Sequence, residues 1–304
     1  MPRSAQWLSE VFVNFAGMRT YKLYIPASYS GRKMPLVVML HGCKQSPEDF
    51  ALGTRMNVIA EELGCMVVYP GQAETANGMR CWNWFNPRNQ HRGRGEPAII
   101  AGITRQVMRK YAVDPERVYV AGLSAGGGMT AILAATYPDL YAAAGVHSGL
   151  ARGSARSVAT AYSAMNNGDA SIAPEAAMTP MSLHHPRIVP MIVFHGDRDE
   201  TVNLRNSEQV LRQAIGDQMA VLRRRQSTGR VRNGREYTRT AYLDSRDRAQ
   251  FELWVVHGSN HAWAGGSVRG SYTDPSGPDA SREMLKFFLS HVHTSASVHE
   301  EVYS

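Results

Sequence analysis

A serine lies between two glycines in the segment Gly122-Leu123-Ser124-Ala125-Gly126, which has the pattern G-x-S-x-G. A strand pattern over 117–121 precedes this segment, and a helical pattern over 125–136 follows it. Between a strand and a helix, flanking glycines allow a tight turn that lifts a serine hydroxyl clear of the backbone, next to the helix N-terminus. In a plain glycine-rich turn, the same serine would only cap the helix. The two flanking elements favour Ser124 as a nucleophile.

A serine nucleophile needs a general base, and the base needs a group that orients it. A buried strand pattern over 191–195 runs into a loop with two carboxylates, Asp197 and Asp199. Asp197 comes directly after a glycine, where its side chain is well placed to stabilise its own turn. We therefore expect Asp199, farther into the loop, to be the acid.

The candidate bases follow a third strand pattern, over 251–257, as His257 and His261. A histidine that ends a strand is more often a packed core residue, so we expect His261 to be the base. The chain order serine, acid, histidine is that of strand–turn–helix nucleophiles.

An oxyanion that forms at the attacked carbonyl needs preorganised N–H donors. One donor is expected to be the backbone N–H of Ala125, the residue after the nucleophile. The other should come from the loop His41-Gly42-Cys43, which follows the buried strand pattern over 35–40. We assign it to the N–H of Cys43.

These loops require a scaffold of buried strands that alternate with helices. Strands are predicted over 11–15, 18–25, 35–40, 65–69, 117–121, 142–147, 191–195 and 251–257, and helices over 54–63, 96–111, 125–136, 203–215 and 279–292. This alternation predicts an α/β fold with a mainly parallel sheet and helices on both faces. Asn233-Gly234 predicts a hairpin within 231–242. We expect one domain over residues 1–304, with loose ends at about 1–9 and 294–304.

Five ordered motifs give the chain a resemblance to a known family. They are His41-Gly-Cys-Lys-Gln45, Cys81-Trp-Asn-Trp-Phe85, Gly122-Leu-Ser-Ala-Gly126, His195-Gly-Asp-Arg-Asp199 and Gly258-Ser-Asn-His-Ala-Trp263. Together they resemble the polyhydroxybutyrate depolymerase-type esterases, a branch of the α/β-hydrolase superfamily. The resemblance implies an α/β-hydrolase fold, a serine esterase and the triad Ser124, Asp199 and His261. It leaves the substrate open, because the family also includes feruloyl and acetylxylan esterases.

The resemblance also bears on the cysteines and tryptophans. It implies a disulfide between Cys43 and Cys81 that braces the loop beside the site, whereas Cys65, at the start of a buried strand, is expected to be a core residue. Trp263, two residues from His261, and Trp82 are expected to line a substrate pocket, since apolar walls suit the acyl or alkyl part of an ester.

The net charge of +7 at first suggests a nucleic-acid partner. Seven arginines lie between 223 and 239, but only Tyr237 in that stretch could stack on bases, and no nucleic-acid motif accompanies them. A solvated basic hairpin is the favoured interpretation. No apolar run is long enough to span a membrane, no Cys/His spacing predicts a metal site, and the expected chemistry needs no cofactor or obligate protein partner.

The sequence therefore predicts a serine esterase that acts through an acyl-enzyme on polyester or oligoester substrates. The alternatives are a feruloyl- or acetylxylan-type carbohydrate esterase and, from another class, a non-catalytic polymer-binding protein on a hydrolase scaffold. A disulfide would favour a secreted or periplasmic location. The first ten residues have no apolar core of a signal peptide, and neither a linker nor a separate polymer-binding domain is expected, which disfavours efficient attack on crystalline polymer.

Overall fold

One ten-stranded sheet forms the centre of the computed structural model, which describes residues 4–168 and 187–293. Its strands are β1 (Gln6–Asn14), β2 (Gly17–Ile25), β3 (Met34–Leu40), β4 (Met66–Pro70), β5 (Val113–Leu123), β6 (Ala143–His147), β7 (Met191–Gly196), β8 (Arg223–Arg230), β9 (Glu236–Leu243) and β10 (Ala249–Val256). They are arranged in the order β1-β2-β4-β3-β5-β6-β7-β10-β9-β8. The pairings from β4 through β10 are parallel, and antiparallel hairpins extend the sheet at both edges.

Helices cover both faces of this sheet, as the sequence predicts. They are α1 (Pro47–Thr54), α2 (Met56–Leu63), α3 (Gly95–Lys110), α4 (Ala125–Thr136), α5 (Val158–Asn167), α6 (Arg205–Ile215) and α7 (Ala280–Leu289). Residues of α3, α4, α5 and α6 pack in one apolar core and those of α1, α2 and α7 in the other. Strand β3 shows the alternation, because Val38 faces the first core and Val37 the second.

Two further short strands lie beyond the large sheet. They are β11 (Trp263–Ala264) and β12 (Thr273–Asp274), which pair in parallel. They join the segment that follows β10 to the segment that precedes α7. None of the helices in the described part of the chain has the length and apolar character needed to cross a bilayer.

Three local expectations need correction. Residues 6–9, expected to be loose, belong to β1 and pair with β2 along its whole length. The helix expected over 54–63 is α2, which begins at Met56 because Arg55 takes a left-handed φ of 57°, and helix α1 before it was not predicted. Helix α5 was not predicted, although Ser157 caps it in a reciprocal capping box. Residues 294–304, also expected to be loose, lie outside the described residues.

A hairpin forms with its turn at the predicted dipeptide, but its first strand is Arg223–Arg230, which lies before the predicted bounds of 231–242. Asn233 has a left-handed φ of 54°, and the turn joins β8 to β9 at the outer edge of the sheet. Most of β8 is exposed to solvent. Four of the seven arginines pair with carboxylates, as Arg223–Asp247, Arg230–Glu236, Arg235–Asp274 and Arg239–Glu252.

Candidate active site

Ser124 lies at the tight turn between β5 and α4, with φ 56° and ψ −118°. Its backbone N–H donates to the carbonyl of His147 at 2.9 Å, which anchors the turn to the end of β6. The two flanking positions must be glycine, because a side chain there would clash with backbone atoms. A Cβ on Gly126 would lie 2.1 Å from the Leu40 carbonyl oxygen, and one on Gly122 would lie 2.4 Å from the Gly126 carbonyl oxygen. The predicted strand–turn–helix element is therefore present, and Ser124 does not act as a side-chain cap of α4.

One cross-strand row defines the edge of the sheet at which the site is built. Leu123, His147, Phe194 and Trp254 pair in register across β5, β6, β7 and β10. The residues expected to do chemistry come later in the chain than this row, in the loops at the carboxyl ends of those strands. They are Ser124, Asp199 and His261.

The loop after β10 folds back over the sheet toward the strand that carries Ser124. The backbone N–H of Ala264 donates to Nε2 of His147 at 3.0 Å, at the end of β6. Since β6 is the neighbour of β5, this contact brings the segment that contains His261 across two strands toward the nucleophile. Burial lowers the pKa of His147 well below its usual value, which keeps the ring neutral so that Nε2 can accept.

Asp199 has the surroundings of an ionised buried carboxylate. Its side chain is 0% exposed, and Oδ1 accepts hydrogen bonds from the backbone N–H groups of Thr201 (2.9 Å) and Val202 (2.8 Å). Oδ2 lies 2.7 Å from Nδ1 of His261 and 3.2 Å from Nε2 of His195. Burial alone would raise the pKa of Asp199, but the hydrogen bonds to the two histidines outweigh it and hold the pKa far below the usual range.

His261 is the partner of Asp199, as the sequence predicts for this pair. With Nδ1 bound to the carboxylate, Nε2 forms no hydrogen bond with any of the described residues, and 11% of the side chain is exposed. A base in acyl transfer needs this arrangement, in which one nitrogen is oriented by an acid and the other is available for a proton.

Asp197 and His257 form a second Asp–His pair between the same two loops. Oδ2 of Asp197 lies 2.8 Å from Nδ1 of His257, and Nε2 of His257 lies 2.9 Å from the hydroxyl of Thr238 on β9. The two side chains are 30% and 40% exposed. His257 is therefore hydrogen-bonded but not part of the core, which corrects that expectation. Asp197 also accepts from the N–H of Gly258, so it stabilises the neighbouring loop rather than only its own turn.

The loop after β3 lies directly beside the nucleophile. A Cβ on Gly42 would be 3.6 Å from Cβ of Ser124. The N–H of Gly42 is occupied by Oε1 of Gln45 at 2.9 Å, whereas the N–H of Cys43 has no acceptor among the described residues. The N–H of Ala125 is in the first turn of α4 and therefore has no acceptor within its own helix. Both assigned donors are thus backbone N–H groups beside Ser124 for which the described part of the chain supplies no acceptor.

His41 fixes the orientation of the Gly42–Cys43 peptide. Its Nδ1 lies 2.8 Å from the Gly42 carbonyl oxygen, and its Nε2 accepts from the N–H of Gln72 at 3.1 Å. Because Nε2 accepts, the ring proton is on Nδ1 and is donated to the carbonyl. In a trans peptide the C=O and the following N–H point in opposite directions. Holding the carbonyl toward His41 therefore directs the Cys43 N–H away from it.

The disulfide that the resemblance implies is present. Cys43 and Cys81 are bonded, with their Cα atoms 4.2 Å apart and a sequence separation of 38. The bridge ties the loop beside Ser124 to the tryptophan-containing segment. Cys65 is a free buried cysteine, as predicted, and burial raises its pKa to about 12.

The expectation that Trp82 and Trp263 line a pocket is wrong for this structure. Trp82 is 0% exposed and Trp263 is 1% exposed. Trp263 packs against Phe50 and stacks on His147, and its Nε1 donates to Ser281 at 3.1 Å. The contact with His147 shows that Trp263 lies near the site, but its indole is directed into the core, between Phe50, His147 and Ser281.

Tyr272 is an aromatic residue beside His261 that the sequence analysis did not predict. Its ring stands edge-on to His261 with 6.4 Å between ring centroids, and 41% of the residue is exposed. Its φ of 53° is rare for a bulky residue. The neighbouring Ser271 is held by Gln45 and Asp49, so a loop distant in sequence delivers this aromatic side chain to the site.

No group of three or more His, Cys, Asp or Glu side chains within residues 4–168 and 187–293 is arranged to hold a metal ion. The histidines of the site are instead hydrogen-bonded to carboxylates, hydroxyls and backbone groups.

A family model described as Esterase PHB depolymerase matches residues 19–237 of the chain. The chain belongs to this family. The match includes Ser124, Asp199 and the Cys43–Cys81 bridge, while His261 lies beyond it. The resemblance inferred from five motifs is confirmed.

Relatives within and around this esterase family differ in their named substrates. The chain is 35% identical over 182 residues to poly(3-hydroxyalkanoate) depolymerase C of Paucimonas lemoignei, covering 59% of this chain and 44% of the relative. It is 35% identical over 139 residues to feruloyl esterase B of Neurospora crassa, covering 45% and 46%. It is 30% identical over 205 residues to a probable acetylxylan esterase A of Aspergillus clavatus, covering 64% and 65%. The chain thus spans about half to two thirds of the length of these relatives.

Among solved structures, an acetyl xylan esterase from Aspergillus awamori aligns with a TM-score of 0.70 at 22% identity, covering 94% of this chain and 98% of that one. At this identity the likeness concerns the fold, which is the α/β-hydrolase fold predicted for this member of the esterase family.

Proposed function

We propose that the protein is a serine esterase that hydrolyses polyester or oligoester bonds through an acyl-enzyme. The observation that carries the proposal is the buried Asp199–His261 pair at the sheet edge where the β5–α4 turn presents Ser124. Membership of the esterase family and the depolymerase relative support the same reaction.

In the proposed mechanism, the Ser124 hydroxyl attacks the ester carbonyl while Nε2 of His261 takes its proton. Asp199 holds Nδ1 of His261 and stabilises the imidazolium that results. The leaving alcohol receives this proton from His261. Water then attacks the acyl-enzyme by the same steps and releases the acid and free Ser124.

The oxyanion is proposed to bind to the N–H groups of Cys43 and Ala125. Loss of one such donor typically costs about 10²–10³-fold in rate. His41, the Gln45 side chain and the disulfide support these donors, because each restrains the loop that carries Cys43. A preorganised donor requires no reorientation when charge develops.

A carbohydrate esterase that removes feruloyl or acetyl groups is the second candidate, supported by the relatives of those names. It needs the same residues and differs only in the substrate. A non-catalytic polymer-binding role would leave the buried Asp199–His261 pair without a use. We further propose a single domain and an oxidising location such as the periplasm or the extracellular space, which the disulfide supports.

The test combines labelling with a substrate panel. A fluorophosphonate probe should form one adduct, on Ser124, and Ser124→Ala should abolish both the adduct and p-nitrophenyl acetate hydrolysis while the circular dichroism spectrum stays unchanged. An adduct elsewhere, or retained turnover, would contradict the mechanism. Side-by-side rates on polyhydroxybutyrate film, soluble hydroxybutyrate oligomers, methyl ferulate and acetylated xylan then decide between the two substrate classes.

A further inference from the structure

A second histidine, His195, contacts the buried carboxylate of Asp199. His195 is the next-to-last residue of β7, and its side chain is 0% exposed. Its Nε2 lies 2.7 Å from the carbonyl oxygen of Val202 and 3.2 Å from Oδ2 of Asp199. Its Nδ1 is hydrogen-bonded to the hydroxyl of Ser207 on α6. None of the proposed catalytic steps uses this residue.

The surroundings of the ring determine where its proton lies. A carbonyl oxygen and a carboxylate oxygen can only accept, so Nε2 of His195 must carry a hydrogen, with the Val202 carbonyl as its nearer acceptor at 2.7 Å and Oδ2 of Asp199 as a second, longer contact at 3.2 Å. In the neutral ring, Nδ1 then accepts from the Ser207 hydroxyl. Both nitrogens of this fully buried ring are satisfied in that one tautomer, and the ring orientation is fixed from two elements.

This arrangement gives Asp199 four donors. Two backbone N–H groups hold Oδ1, and two imidazoles share Oδ2. The backbone donors fix one oxygen but leave rotation about the carboxylate less restrained. The His195 contact adds the constraint that places Oδ2 opposite Nδ1 of His261.

We propose that His195 is a positioning residue, which acts through Asp199 to hold the carboxylate in register with His261. The proposal rests on the proposed function, in which Asp199 orients the base. It also assigns a reason for the histidine that precedes Gly196 in the loop motif: a shorter or apolar side chain there would leave Oδ2 with a single donor.

Removal of the His195 donor should change the pH dependence of the reaction. The titratable groups around His195 are Asp199, His261 and His147, the last of which ends the neighbouring strand β6. With Oδ2 out of register, Asp199 stabilises the protonated form of His261 less. The acidic limb of the rate profile should then move to lower pH, which a loss of folded protein alone would not cause.

The experiment compares His195→Leu with His195→Gln, whose amide nitrogen can replace the Nε2 donor. His291→Leu is the matched control, because His291 is also buried but bonds to the Phe287 carbonyl at the far end of α7. We expect His195→Leu to lower kcat for p-nitrophenyl acetate roughly tenfold, as for loss of one hydrogen bond to a charged group, with KM changed less than about twofold. His195→Gln should recover most of the rate and the wild-type acidic limb.

A second measurement does not depend on catalysis. The proton between His261 and Asp199 should give a downfield ¹H NMR signal, assigned by its absence in Asp199→Asn, and His195→Leu should move it while His291→Leu does not. If His195→Leu fails to fold, Ser207→Ala, which releases Nδ1, should move the signal in the same direction.

The outcomes separate the two proposals. Folded His195→Leu with unchanged kcat, acidic limb and NMR signal would overturn the role of His195, as would equal impairment of the Leu and Gln variants. If the wild-type protein hydrolyses no ester on the panel but His195→Leu still moves the His261–Asp199 proton signal, the proposed function is overturned and the positioning contact remains.

Discussion

Nδ1 of His257 lies 2.8 Å from Oδ2 of Asp197, beside the 2.7 Å contact between His261 and Asp199. Two Asp–His pairs therefore bridge the same two loops, after β7 and after β10. The N–H of Arg198 also donates to the carbonyl of Ser259 at 3.0 Å between these loops. Only the Asp199–His261 pair is buried, and it is the candidate catalytic pair. The more exposed Asp197–His257 pair holds the two loops together.

This difference predicts unequal effects of two matched substitutions. Asp199→Asn should lower kcat for p-nitrophenyl acetate by about 10³–10⁴-fold, because an amide in place of the acid favours the wrong tautomer of the base. Asp197→Asn should lower it less than about tenfold, since its partner His257 is half-exposed and bonds to Thr238. Circular dichroism of both variants serves as the folding control. A larger loss in Asp197→Asn would mean that the other pair is catalytic.

The sequence predicted the scaffold well wherever a buried strand ends in a polar loop. The runs 35–40, 191–195 and 251–257 identify the sheet edge at which the Cys43, Asp199 and His261 loops meet. Six parallel strands force these ends to one edge, so residues far apart in sequence could be placed together without coordinates.

Side-chain direction could not be predicted in the same way. Trp263 is close to the site in sequence, but the chain turn after His261 directs its indole to Ser281 and the core. Tyr272 reaches His261 only because its loop docks on Gln45 and Asp49, more than two hundred residues earlier. Such docking depends on long-range contacts that no local pattern encodes.

The nucleophile turn should tolerate no side chain at Gly126. Its Cβ would meet the backbone carbonyl of Leu40 at 2.1 Å, and a backbone atom cannot move aside as a flexible side chain can. Gly126→Ala should therefore lower the free energy of unfolding by about 1–3 kcal/mol or more and reduce esterase activity. Gly78→Ala is the matched control, since no heavy atom lies within 4 Å of its added Cβ, and it should change stability by less than about 0.5 kcal/mol. Equal urea midpoints for the two variants would refute this account of the turn.

The disulfide should contribute to both stability and rate. For the sequence separation of 38 between Cys43 and Cys81, chain-entropy estimates give a stabilisation of roughly 2–4 kcal/mol. Cys43→Ala/Cys81→Ala should lose this stability and also lower kcat, because the loop that carries the Cys43 N–H is no longer tied down. Dithiothreitol should shift the urea midpoint of the wild type and of Cys65→Ala but not that of the double variant. A reductant-insensitive wild type would show that the bridge contributes little.

The buried His41 should make stability depend on pH in a defined direction. Burial lowers its pKa to about 4, below the value of about 6.5 expected in the unfolded chain. Between these values the unfolded state binds more protons, so the stability is complete above about pH 6.5 and is lost as pH falls toward 4. At pH 5 the contribution of His41 should be reduced by roughly 1–2 kcal/mol relative to pH 7.

The variant His41→Asn isolates this contribution, because asparagine retains a donor near the Nδ1 position and does not titrate. Its free energy of unfolding in urea should differ less between pH 7 and pH 5 than that of the wild type. Activity gives a second readout: if His41 orients the Gly42–Cys43 peptide, His41→Asn should keep more kcat than His41→Leu, which has no donor for the Gly42 carbonyl. An identical pH dependence in wild type and His41→Asn would show that His41 is not the group that titrates, and equal kcat in the Asn and Leu variants would remove its role in directing the Cys43 N–H.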